Sequence, residues 1–358
     1  MLLSLAVDEG ASDVHLRANV PPRLRVDGHL DDVALKAASA ADLEQLIVEL
    51  LPPERQVEFE ATNEADFALS VPGLGRFRGN AFRERGTVGI VLRRVLSSVA
   101  SLKEMGLPPI VAKLAEESRG LVLVTGPTGS GKTTTLAGMV DHINNTRPVN
   151  IMTIEDPIEV LHPNKMAMVA QREIGTDTGD YAQAMRRVLR QDPDVILIGE
   201  MRDAETVAAA LSAAETGHLV LSTLHTVNAT STINRIVDFF PAFQHHQVRL
   251  TLASSLRGVV CQRLLERNDA VGRMPAVEVM VVTGRIAERI VHPDAGRGET
   301  IEEMIAEGEW YGMQSFDQSL LALFRDGKVS LAQAMSAASK PHDFKLKLEN
   351  AGLVATGR

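Results

Sequence analysis

Leu121-Val122-Leu123-Val124-Thr125 runs without a break into Gly126-Pro127-Thr128-Gly129-Ser130-Gly131-Lys132-Thr133-Thr134. The first five residues suit a parallel strand buried on both faces. The rest match G-x-x-x-x-G-K-[ST], a loop whose glycines let the backbone wrap an anion with its N–H groups pointing inward. The helical Thr134-Thr135-Leu136-Ala137-Gly138-Met139-Val140 follows, so a helix N-terminus adds its positive field. Lys132 is placed to reach the β- and γ-phosphates and Thr133 to offer its hydroxyl to Mg²⁺. At ordinary residue frequencies such a match arises by chance in about one chain per hundred of this length. Strand before and helix after reduce that further. The stretch reads as a nucleotide site of an α/β protein, with Gly126, Pro127, Thr128, Gly129, Ser130, Gly131, Lys132, Thr133 and Thr134 cradling the phosphates.

Three more strand-like runs end in residues able to act on a phosphate. Asp194-Val195-Ile196-Leu197-Ile198-Gly199-Glu200 finishes in an acid. Ligands of such sheets gather at the carboxyl ends of the strands, which would put Glu200 beside the γ-phosphate, able to polarise an attacking water. Val149-Asn150-Ile151-Met152-Thr153-Ile154 leads into Glu155-Asp156-Pro157-Ile158-Glu159. That acidic cluster reads either as positioning water and outer Mg²⁺ contacts or as a solvated charged loop. His218 and His225 bracket Leu219–Leu224 in the fourth run. His225, at its exit, could hydrogen-bond a phosphate or the acid, could report nucleotide state, or could be structural. No histidine has metal-ligand spacing, and Mg²⁺ suits phosphates better than Zn²⁺.

The remainder of the 358 residues supplies a second domain. Residues 1–97 read as α+β, with strand-like Arg23-Leu24-Arg25-Val26 and Val88-Gly89-Ile90-Val91-Leu92. A helix over 41–51 has Leu43, Leu46, Ile47 and Leu50 on one stripe and stops at Pro52-Pro53. Residues 98–109 read as a linker and 110–282 as the nucleotide-binding α/β core. Residues 283–358 form a helical, charged C-terminal region. Hydrophobic residues are 45% and charged residues 23%, as in ordinary globular proteins. The net charge of −9 argues against a broad nucleic-acid surface. No apolar run is long enough to cross a bilayer, and the N-terminus meets acid too early for a signal peptide. A lone cysteine, Cys261, excludes an internal disulfide and any multi-cysteine metal cluster. Composition therefore suggests a reduced, cytoplasmic protein.

Taken in order, Gly126–Thr134, Ile154–Glu159, Leu189-Arg190-Gln191-Asp192-Pro193-Asp194 through Glu200-Met201-Arg202-Asp203, and Thr216–Thr226 resemble the Walker A, Asp box, Walker B and His box of the secretion ATPase superfamily. This is the family of type II secretion and type IV pilus motors. Gly10-Ala11-Ser12-Asp13-Val14-His15-Leu16 and Arg25-Val26-Asp27-Gly28 are similar to its N-terminal region, and Tyr311-Gly312-Met313-Gln314-Ser315-Phe316-Asp317-Gln318 to its C-terminal one. The resemblance covers nearly the whole chain.

It implies a PAS-like N-terminal domain, a RecA-like P-loop ATPase domain, and a homo-hexamer holding ATP between the two domains. By motif position, Glu200 inherits the catalytic glutamate, Glu159 the essential Asp-box acid and His225 nucleotide sensing, with His218 in a weaker supporting part. Arg78 and Arg93 inherit the arginines that reach the phosphates from the N-terminal domain. A guanidinium fork suits that task because it neutralises charge on the transferred phosphoryl group. The implied partner is an inner-membrane pilus platform protein, with the chain peripheral at the membrane's cytoplasmic face and no nucleic acid bound. Extension-type relatives usually carry an added N-terminal domain and a tetracysteine zinc site, so this length and cysteine count favour the retraction branch. Retraction ATPases carry an Ala-Ile-Arg-Asn-Leu-Ile-Arg-Glu segment. The counterpart here is Gly284-Arg285-Ile286-Ala287-Glu288-Arg289-Ile290-Val291, followed by His292-Pro293-Asp294-Ala295-Gly296-Arg297-Gly298. Hydrolysis is expected to survive that change; coupling to the pilus is where it would be felt.

Overall fold

The computed structural model describes residues 1–26, 28–293 and 299–354; Asp27 and the 294–298 part of the divergent stretch lie outside them. The chain forms two compact units, one of Met1–Ser98 with Glu159–Leu161 and one of the remaining residues from Val99 onward.

In the first unit α1 (Leu2–Asp8) precedes β1 (Asp13–Arg17), β2 (Arg23–Val26) and β3 (His29–Asp32). Then come α2 (Ala40–Leu50), α3 (Pro53–Thr62), β4 (Glu64–Val71), β5 (Gly75–Glu84) and β6 (Thr87–Arg94). The sheet is antiparallel in the order β3-β2-β1-β6-β5-β4. Helix α2 starts at a capping box: Ser39 Oγ accepts from the Asp42 N–H while the Asp42 carboxylate accepts from the Ser39 N–H. Of its expected stripe, Leu43 and Ile47 are fully buried and Leu46 and Leu50 pack at the margin of the core. The double proline does stop α2, but Pro53 is also the first residue of α3. Proline suits that position because the first-turn N–H has no intrahelical partner. Phe59 of α3, Phe67 of β4, Phe77 of β5 and Ile90 of β6 complete the core.

The second unit contains α4 (Pro109–Ala115), β7 (Gly120–Thr125), α5 (Lys132–Thr146), β8 (Asn150–Glu155), β9 (Met168–Glu173), α6 (Tyr181–Val188) and β10 (Val195–Ile198). These lead to α7 (Ala204–Glu215), β11 (Leu219–Leu224), α8 (Ala229–Asp238), α9 (His245–Ser255), β12 (Leu256–Glu266) and β13 (Arg273–Val281). The sheet order is β13-β12-β7-β11-β10-β8-β9, all pairs parallel except β12–β13. Both faces are covered, and the side-chain period of two shows why the strands read as unbroken apolar runs. Leu121 and Leu123 of β7 join one core while Val122 and Val124 join the other. In β10, Ile196 and Ile198 face the first and Val195 and Leu197 the second.

The 98–109 stretch expected as a linker is folded into this unit from Val99 onward, with Leu102 and Leu107 in its core. The C-terminal region forms α10 (Gly284–Val291), α11 (Ile301–Glu307), α12 (Phe316–Arg325), α13 (Leu331–Ala337) and α14 (Pro341–Asn350). It is no separate body: Ile286, Ile290, Ile305, Phe316 and Phe344 pack into the same core as β7. Thr300, Ser315 and Ser330 open α11, α12 and α13 with capping boxes. Among the described residues no helix is long and apolar enough to cross a membrane.

Candidate active site

Parallel strands leave the sheet on one side, so the residues after β7, β8, β10 and β11 collect at one edge. The loop after β7 is shaped by its glycines. Gly126 has φ +149° and Gly131 φ +87°. A Cβ at 126 would lie 2.4 Å from the Gln262 carbonyl oxygen, and one at 131 would lie 2.7 Å from the Gln262 side-chain nitrogen. Position 126 meets backbone and admits no side chain, while at 131 any side chain would be strained by the positive φ. Gln262, buried on β12, backs the loop from behind and accepts from Thr135 Oγ1 at 2.8 Å.

Three features fit the phosphates of a nucleotide. Helix α5 has no side-chain cap at its N-terminus, which leaves its first N–H groups to an external acceptor. Ser130 Oγ is buried with no hydrogen-bond partner, a cost that an accepting phosphate oxygen would remove. Lys132 is buried and donates to the carbonyls of Gly126 and Pro127 at 2.9 and 3.0 Å. Burial lowers its pKa, with the Glu200 charge acting in the opposite direction. The Thr133 hydroxyl stands exposed on the first turn of α5, where it fits an ion carried in with the nucleotide.

Glu200 follows β10, and its carboxylate is held at both oxygens. Oε1 lies 3.0 Å from His225 Nε2 and Oε2 2.8 Å from Arg202 Nε. His225 follows β11, with Nδ1 3.4 Å from Lys132 Nζ. An ammonium can only donate, so Nδ1 accepts there, and the proton on Nε2 is the one shared with Glu200. Lys132, His225, Glu200 and Arg202 thus form one continuous polar chain. Asp156, after β8, extends it loosely, 3.9 Å from Arg202. The Tyr181 phenol is pushed well above its ordinary pKa by burial and then by the charge of Asp156, with Glu200 and Glu155 adding to it.

Other expected residues sit elsewhere. Glu155 is engaged by Thr153 and Gln171 at 2.6 and 3.0 Å. Glu159 belongs to the first unit and accepts from Arg78 at 2.8 Å. Arg93 donates to Asp13, a carboxylate only 6% exposed, at 2.7 Å. Burial alone would raise the Asp13 pKa, but hydrogen bonds from Arg93 and Ser12 outweigh it and hold the group below the usual carboxylate range. His218 stands before β11, seven positions from His225, roughly 23 Å at ~3.3 Å per residue. Its Nδ1 lies 3.0 Å from the Ala213 carbonyl, at the amino end of β11 and away from the carboxyl edge that carries Lys132.

Sequence reasoning assigned no role to Arg202 or Gln262. Arg202 had a local signal, a cation two positions after an acid at a strand exit. Gln262 had none, because its place behind the loop depends on β12 pairing with β7 in a register that sets Cys261 opposite Thr125.

The profile of the family described as type II/IV secretion system protein matches residues 1–310. The type IV pilus retraction ATPase PilT of Pseudomonas aeruginosa is 43% identical, over 96% of this chain and 98% of its own. The type IV pilus ATPase PilU of the same organism is 38% identical, over 97% and 90%. A crystal structure of the pilus retraction motor PilT with bound ADP aligns at a TM-score of 0.86 and 41% identity, covering 96% of this chain and 98% of that one. With the phosphate loop, the acid and the histidine at one sheet edge and the likeness running the length of both chains, the assignment follows: this chain belongs to the type II/IV secretion ATPase family.

Proposed function

We propose that the chain is the motor ATPase of type IV pilus retraction, working as a homo-hexamer on a platform protein at the inner membrane's cytoplasmic face. The observation that carries the chemistry is the convergence of Lys132, His225 and Glu200 at the carboxyl edge of the parallel sheet. ATP binds with its phosphates in the Gly126–Thr134 loop, and Lys132 exchanges its loop carbonyls for phosphate oxygens. Glu200 orients a water on the γ-phosphorus and takes its proton. A bond forms from that water to phosphorus, the bond to the bridging oxygen breaks, and ADP leaves with the electron pair. Thr133 would hold the Mg²⁺ carried with ATP, an ion that supplies neutralisation of phosphate charge. His225, touching both Lys132 and Glu200, is placed to report whether a γ-phosphate is present. Arg78 and Arg93 would exchange Glu159 and Asp13 for phosphate oxygens, and the Asp-box acid Glu159 is set free in that exchange.

The experiment is complementation of a strain lacking its retraction motor. This chain is expected to restore twitching and reduce surface piliation to the parental level. Cells that stay hyperpiliated and non-motile while the chain hydrolyses ATP would refute retraction and leave the ATPase standing. One observation supports a second reading, in which the ATPase works only alongside another motor. Helix α10 carries Arg285, Glu288 and Arg289 around the buried Ile286 and Ile290, in place of the family's retraction-linked segment. Twitching restored only with a second motor present would favour it.

A further inference from the structure

We propose that Arg202 is a positioning residue for hydrolysis, fixing the carboxylate of Glu200 in the orientation that presents one oxygen toward His225 and the phosphate loop. This rests on the reading of Glu200 as the water-orienting acid.

The backbone around Glu200 and Arg202 is anchored at three points, Gly199, Met201 and Asp203. Gly199 N–H donates to the Ile154 carbonyl at 2.8 Å, which pins the end of β10. Met201 is plugged into the core, and its N–H reaches the Thr223 carbonyl at 3.3 Å. Asp203 caps α7, accepting from Thr206 N–H at 2.8 Å and Thr206 Oγ1 at 3.0 Å. Arg202 therefore leaves a turn held between a strand end and a helix cap. From there its Nε donates to Glu200 Oε2 at 2.8 Å, while a terminal nitrogen faces Asp156 at 3.9 Å. With one carboxylate oxygen anchored, Oε1 has one direction left, toward His225 at 3.0 Å. The contact with Glu200 also raises the guanidinium's own pKa, so the cation is permanent.

The exposure of the pair decides what kind of role this is. The Arg202 side chain is 59% exposed against 19% for Glu200, so the guanidinium end of the pair is open to water and adds little to stability. Its effect lies in orientation, where a small misplacement of a reacting group slows the chemical step much more than it disturbs the fold. Lysine is a poor substitute, since a flexible point charge cannot span two carboxylates as a planar fork does.

The test is steady-state phosphate release by the full chain with Mg·ATP, comparing Arg202→Ala, Arg202→Lys and Glu200→Gln with the parent. Arg202→Ala is expected to lower kcat at least tenfold with KM for ATP within twofold and the thermal midpoint unchanged. Arg202→Lys is expected to recover only part of the loss, and millimolar guanidinium to rescue Arg202→Ala in part. Parental kcat in Arg202→Ala beside a dead Glu200→Gln would overturn this inference alone. A rise in KM without loss of kcat would also overturn it, because it would make Arg202 a phosphate-binding group. Parental turnover in Glu200→Gln would instead remove the reading of Glu200 on which the inference stands.

Discussion

Gly131 shows how narrowly single residues are constrained here. Alanine there would have to adopt a left-handed conformation with its Cβ 2.7 Å from the Gln262 amide. Strain of that kind costs on the order of 1–3 kcal/mol. Gly131→Ala is therefore expected to weaken ATP binding at least tenfold by calorimetry, and unchanged affinity would contradict the loop geometry. Asp13 gives a pH prediction. Its folded pKa is depressed, so its contribution to stability is present above the unfolded value of about 3.9 and is lost as pH falls through the lower folded value. The stability difference between parent and Asp13→Asn, read by denaturant unfolding, is expected to be full at pH 7 and to shrink below about pH 4. A difference that grows on acidification would reverse the sign and refute the assignment. At this scale the sequence disclosed residues whose signal is contiguous: Gly126 to Thr134 announce themselves by spacing, and Glu200 by closing an apolar run. It did not disclose that Arg93 is held by a buried Asp13 eighty positions away, because the pairing of β1 with β6 that sets Asp13 opposite Arg93 has no local signature.

Among elements, legibility followed periodicity. Strand β10 was readable because both faces are buried, so its residues are uniformly apolar and the acid marks its exit. Helix α3 was missed because Pro52-Pro53 reads as a stop, while proline is equally at home on the first turn of the next helix. The 98–109 stretch read as a linker because Gly106, Pro108 and Pro109 punctuate it, yet Leu102 and Leu107 are apolar at the spacing that lets both reach the second unit's core. Two substitutions measure these elements. Ile196→Ala, at a fully buried position of β10, is expected to cost about 2–5 kcal/mol and lower the thermal midpoint by several degrees. Ser39→Ala removes one half of the α2 capping box and is expected to cost about 0.5–2 kcal/mol. A smaller loss from Ile196→Ala than from Ser39→Ala would mean that β10 is less tightly packed than the burial of Ile196 requires.

For the whole molecule, hydrolysis has to bias a mechanical equilibrium. Moving two states from 1:99 to 99:1 takes about 5.5 kcal/mol of differential binding. Lys132 on its loop carbonyls and the paired contacts around Glu200 are charge-assisted bonds of the kind such a bias needs. If six protomers share that work, light scattering of the purified chain with ATP is expected to give six times the protomer mass, and a monomer at every concentration would contradict the ring. The role of Glu200 in hydrolysis is tested by phosphate release and ATP binding measured together on the parent and on Glu200→Gln. Steady release is expected from the parent, and in the variant ATP affinity within a few-fold but turnover reduced at least a hundredfold. Release at the parental rate by Glu200→Gln would contradict it.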